Sequence, residues 1–142
     1  GCCLSESNAI INYLANNSAL LPRDPFTLAK VQQWQFFEQY SHEPYIAVAR
    51  FINKYLGLPK NRLDEYQSKQ EGGYKALKLM NQQLQQSPYL TGNHFTTADI
   101  TLFAYTHVAD EGGFDLSSFT ALNQWLERIK THNNFLTMPI EK

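Results

Sequence analysis

Cysteine is almost missing from this sequence. The two present, Cys2 and Cys3, are neighbours, too close for ordinary disulfide geometry. No CxxC and no Cys/His spacing suited to zinc occurs. The histidines His42, His94, His107 and His132 form no i,i+4 pair, so a helix-borne metal site has nothing to build on. A charge excess is missing too: 12 basic and 13 acidic residues leave a formal charge of −1. Without a basic field, neither nucleic acid nor an anionic membrane surface is expected as a partner. No apolar run approaches the roughly 20 residues that a membrane helix needs. No basic-then-apolar leader opens the chain, and a reducing cytoplasm is the expected location. The sequence also lacks a GxSxG elbow, a P-loop, a dinucleotide glycine fingerprint and HExxH. Strand-like alternation never lasts more than a few residues.

Helical periodicity is present almost throughout. A hydrophobic share of 43% in 142 residues suffices for one domain with its own core. Ser5 can cap a first helix over about 6–15, with Ile10 and Leu14 along its apolar edge. The run Asn16-Asn17-Ser18 and then Leu21-Pro22-Arg23-Asp24-Pro25 interrupts it as a linker. Asp24 is a good N-cap, and Pro25 sits at the first helical position, where its missing N–H costs nothing. A long helix follows, with Val31, Trp34 and Phe37, then Tyr45, Val48, Ile52 and Tyr55 in register. Pro44 predicts a kink within it, and Gly57 and Pro59 end it.

Asn61 can cap the next helix, whose inner face carries Leu63, Tyr66, Gln70, Tyr74, Leu77 and Leu84. Gly72-Gly73 in its middle predicts a close helix crossing. Thr96 with Asp99 three positions on reads as a capping box, and the helix it opens is apolar nearly all round, so it belongs at the centre. A last helix, about 118–131, buries Leu122, Trp125, Leu126 and Ile129. Up to five helices around one central member predict an all-α bundle. The acidic residues are expected on solvated faces, and the histidines on the surface or as satisfied core residues.

One segment suggests chemistry. In Leu4-Ser5-Glu6-Ser7-Asn8-Ala9-Ile10 a carboxylate and a hydroxyl stand at a helix start, where free N–H groups and the dipole favour anions. Ser7 could donate to a carboxylate while Glu6 pairs with an ammonium, a combination that would grip an α-amino acid end. Plain capping by Ser5, with Glu6 as a first-turn acid, accounts for the same residues.

The run Leu-Ser-Glu-Ser-Asn-Ala-Ile followed by Ile-Asn-Tyr-Leu resembles the last strand and helix of the glutathione-binding domain in cytosolic glutathione transferases of the bacterial theta/phi/delta-like type. Leu20-Leu21-Pro22 before a Trp-containing helix, Tyr89-Leu90-Thr91-Gly92, Phe95-Thr96-Thr97-Ala98-Asp99-Ile100 and Trp125-Leu126-Glu127-Arg128-Ile129 are similar to the helical second domain of that family. The resemblance implies a division into 1–16, a remnant of the thioredoxin-like domain, a linker at 17–24 and an all-α C-terminal domain at 25–142. It implies that Glu6 and Ser7 hold the γ-glutamyl end of glutathione, and that Cys2 and Cys3 lie in a strand away from the family's catalytic position. It implies an electrophile wall on the long helix after its kink, where Val48, Phe51 and Tyr55 at i, i+3 and i+7 would share a face; core packing is the alternative use of that face.

The family's thiol-activating residue and cis-proline belong to the preceding domain. The chain is therefore expected to be a piece of a homodimeric transferase that conjugates glutathione, as co-substrate and with no other cofactor, to a small hydrophobic electrophile. The piece alone is expected to be inactive. The alternative expectation is a non-catalytic, transferase-like protein-interaction module.

Overall fold

The computed structural model describes residues 1–133 and 135–136. Six α-helices are seen among them: α1 (Ser7–Leu14), α2 (Pro25–Phe37), α3 (Glu43–Arg50), α4 (Leu63–Leu84), α5 (Thr97–Thr106) and α6 (Thr120–Lys130). The described part is an all-α bundle, and Tyr89 and Gly92 make only an isolated bridge.

Side-chain caps set the starts of α2 and α5. The Asp24 carboxylate accepts from the Thr27 N–H at 2.8 Å, and Pro25 opens α2. The long central rod keeps helical hydrogen bonding from Pro25 to Tyr55, through the place where Pro44 predicts a kink. Instead of breaking, it widens into a π-helical turn over Glu38–His42, and Pro44 falls in the first turn of α3. Pro44 has no N–H and its ring would meet the carbonyl of Tyr40; a wider turn accommodates both. A second π-turn, Phe51–Tyr55, ends the rod, with Gly57 at φ 67° closing it. Asn61 does not cap α4: a 3-10 turn at Lys60–Arg62 precedes that helix, and Arg62 holds the cap position without a side-chain bond.

Helix α5 is the centre, with Ala98, Asp99 and Leu102 fully buried. Its capping box is formed. The Asp99 carboxylate accepts from the Thr96 N–H at 3.0 Å, from the Leu90 N–H at 3.0 Å and from Trp125 Nε1 at 2.9 Å. One side chain thus ties the α5 start to the 89–96 loop and to α6. Burial holds the Asp99 carboxyl above its usual range, although each of these donors acts to lower it. Asp99 is therefore not on a solvated face, nor is Glu38, which is 4% exposed. Both are corrections to the pattern expected for acids.

The glycine pair in α4 marks close approaches. A Cβ on Gly72 would overlap the ring of Tyr45, and one on Gly73 the ring of Phe114. The core gathers Ile46, Leu77, Met80, Leu102, Leu122 and Trp125.

Candidate functional site

Residues 1–5 form no strand, and Cys2 and Cys3 are exposed. Extended chain needs a neighbouring strand to hold it, and none lies beside this segment among the described residues. Ser5 does not cap α1. Glu6 takes the position before the helix, with φ 69° and ψ 117°, and no side chain caps the first turn. A left-handed backbone at glutamate is a strained choice. Its effect is to place Glu6 and Ser7 side by side, both exposed, at a helix start whose first N–H groups have no intrahelical acceptor. An uncapped start of this kind favours an incoming carboxylate.

The helix that carries this pair is held by its polar edge. Asn12 and Gln35 exchange amide hydrogen bonds at 2.8 and 2.9 Å. The Asn8 amide approaches the Gln35 carbonyl at 3.5 Å, and the Thr101 hydroxyl donates to Asn8 Oδ1 at 2.7 Å. Gln35 reaches on to Thr97 at 3.4 Å. So α1 is clamped to α2, the Trp34 helix, and to α5. Below this clamp the π-turn places Glu38 near Glu43, with Gln39 Nε2 donating to both carboxylates at 2.8 and 3.3 Å. Burial, reinforced by Glu43, holds the Glu38 carboxyl above its usual range against the bond from Gln39. The amide contacts of Asn8, Asn12 and Gln35 carry no sequence signal, since each pair is separated by 23 residues or more.

The three residues expected to form an electrophile wall are placed unequally. Phe51 and Tyr55 are 48% and 60% exposed, and their rings lie 6.2 Å apart. Val48, one turn earlier, is half-buried. Arg50 lies over the Tyr55 ring at 5.2 Å and bonds Glu111 at 2.5 Å, as Lys54 also does. Despite partial burial, which acts upward, the two cations pull the Glu111 carboxyl below its usual range. The result is an exposed aromatic face with an ion-paired rim that keeps one excess positive charge, tied to the 3-10 turn Ala109–Gly112. A separate cavity of about 390 Å³ lies between α2 and α4, lined by Trp34, Phe37 and Leu79 among others. Among the described residues no three His, Cys, Asp or Glu side chains gather as a metal set. No described helix is long and apolar enough to cross a membrane.

Comparison with known proteins gives a consistent result. A crystal structure of a glutathione S-transferase from Pseudomonas fluorescens Pf-5 matches with a TM-score of 0.94 at 56% identity, over 95% of this chain and 67% of that one. Elongation factor 1-gamma of Drosophila melanogaster is 33% identical over 132 residues, which are 89% of this chain and 29% of that protein. The disulfide-bond oxidoreductase YfcG of Escherichia coli K12 is 28% identical over 132 residues, 90% of this chain and 59% of that protein. The chain thus spans less than two thirds of these curated relatives. The family profile described as "Glutathione S-transferase, C-terminal domain" matches residues 33–133, and the chain belongs to that family.

Proposed function

We propose that this chain is part of a glutathione transferase that joins glutathione to a small apolar electrophile. In this reading Glu6 pairs with the α-ammonium of the γ-glutamyl end, and Ser7 donates to its α-carboxylate. Phe51 and Tyr55, with Val48 behind them, supply an apolar wall for the electrophile. The observation that carries the reading is the uncapped start of α1, where a strained Glu6 backbone leaves Glu6, Ser7 and free N–H groups facing outward together.

Conjugation needs a thiolate at neutral pH, so some group must lower the thiol pKa. No residue described above does this. We assign that step to a thioredoxin-like region of a longer protein, which acts as a cytoplasmic homodimer with glutathione as co-substrate and no other cofactor. Residues 1–16 then belong to that region, 17–24 are the linker, and 25–142 form the helical domain. The 142-residue chain alone gives no turnover with glutathione and an aryl halide above the solution rate. In the longer protein, Ser7→Ala weakens glutathione binding by about 1–3 kcal/mol, the usual loss for a hydrogen bond to a charged group. Calorimetry showing unchanged affinity removes Ser7 from the site.

The second reading is a non-catalytic interaction module. The similarity to elongation factor 1-gamma favours it. It is the better reading if calorimetry on the longer protein detects no glutathione binding.

A further inference from the structure

The π-turn holds a buried histidine that the reading above does not use. His42 is fully buried, and its Nε2 lies 2.8 Å from Thr106 Oγ1 on α5. The Thr106 hydroxyl has one proton, which goes to the Leu102 carbonyl at 2.6 Å. Thr106 therefore accepts from His42, so the proton of the neutral imidazole is on Nε2. Nδ1 is then a bare acceptor, and it has no hydrogen-bond partner among the described residues. A second proton would have to enter there, next to no acceptor.

The surroundings offer the resulting cation nothing. From α5 the ring meets Thr106, and Met80 of α4 stands behind that hydroxyl. Lys75 and Lys78 of α4 are exposed. The carboxylates of Glu38 and Glu43 are turned to Gln39. Tyr105, the other titratable group of α5 on this side, is influenced by those same carboxylates and by Arg50. Burial alone pushes the His42 imidazole down to about 3, so no neighbouring charge is in play.

We propose that His42 is an acid-sensitive latch: protonation at Nδ1 is incompatible with the closed contact between the π-turn and α5, so acid opens that contact and with it loosens the seat of α1. The coupling follows from where α1 is clamped. Its amides bond Gln35, just before the π-turn, and Thr101, on the same helix as Thr106. Parting these two elements divides the clamp. The inference is independent of what Glu6 and Ser7 bind.

Amide hydrogen exchange on the 142-residue chain at pH 7 and pH 5, corrected for intrinsic rates, tests the latch. An opened histidine with an ordinary value of about 6.5 raises the open population about 25-fold between these pH values. Protection in Glu38–His42 and in α1 is expected to fall by that factor, while α6 keeps its own. His42→Gln, which can still donate to Thr106, is expected to abolish the pH dependence. An unchanged wild-type pattern, an equal fall in α6, a fall in the π-turn without α1, or the same fall in His42→Gln overturns the proposal. Should His42→Gln fail to fold, nitrogen NMR of the wild type decides. His42 Nδ1 is expected to stay unprotonated down to pH 5 in the folded chain, and titration near 6.5 overturns the latch.

Discussion

Helices α1 and α5 are both tied down by side-chain hydrogen bonds, with opposite consequences. The bonds of Asp99 lie in a dry centre, and the residue is 0% exposed. Those of Asn8 and Asn12 lie at the rim, on a helix with no buried residue of its own. Helix α1 even inverts the usual amphipathic arrangement. It docks through its amides and leaves Tyr13 and Leu14 72% and 76% exposed. A bond lost in the centre leaves donors with no water to turn to, whereas one lost at the rim is partly replaced by solvent. The first kind holds the fold together; the second fixes where the Glu6–Ser7 end points.

Asp99→Ala tests the contrast most severely. It orphans the Leu90 and Thr96 N–H groups and the Trp125 indole N–H, and is expected to cost about 3–5 kcal/mol by urea denaturation. A loss below about 1 kcal/mol would show the centre to be wetter than its burial indicates. Next comes packing without polarity. Gly73→Ala forces the Phe114 ring to move and is expected to cost about 1–3 kcal/mol, read from the same transition. An unchanged midpoint would show that the ring yields freely.

Gln35→Ala moves the test to the clamp on α1, where Gln35 is itself buried but its partners Asn8 and Asn12 are only half-buried. It removes the amide exchange with Asn12 and the reach to Thr97, and global stability is expected to fall by only about 1 kcal/mol. Amide exchange in α1 accelerates while the central residues of α5 stay protected; equal acceleration in α5 would break the distinction between the regions. The smallest effect is expected at Ser5→Ala, within about 0.5 kcal/mol, since Ser5 caps nothing. A cost near 1 kcal/mol, typical of a lost cap, would return Ser5 to that role.

The features legible beforehand are those that neighbours in the chain decide. Asp24-Pro25 and Thr96 with Asp99 both announced helix starts, and both are found. Gly72-Gly73 announced a close crossing, and two rings occupy the space a Cβ would need. Ser5 and Asn61 failed as caps although their residue type suits the role, because a cap depends on backbone angles as well as on identity. At Ser5 the turn fell one residue later, with Glu6 in a conformation glutamate rarely adopts. Pro44 marked the right place for an irregularity, and the π-turn just before it is the form the irregularity takes.

The sequence by itself determined the helices, their order and the central place of α5, because capping, helical period and glycine breaks act over three or four residues. Only the tertiary structure decided which polar residues leave water. Gln35, Glu38 and His42 read like any other polar residues on a helix, and their burial follows from partners far along the chain. Gln35 meets Asn12 across 23 residues, His42 meets Thr106 across 64, and Thr101 meets Asn8 across 93. No local pattern encodes such pairs, since they exist only once α1, α2 and α5 have been brought together by burial of apolar surface elsewhere.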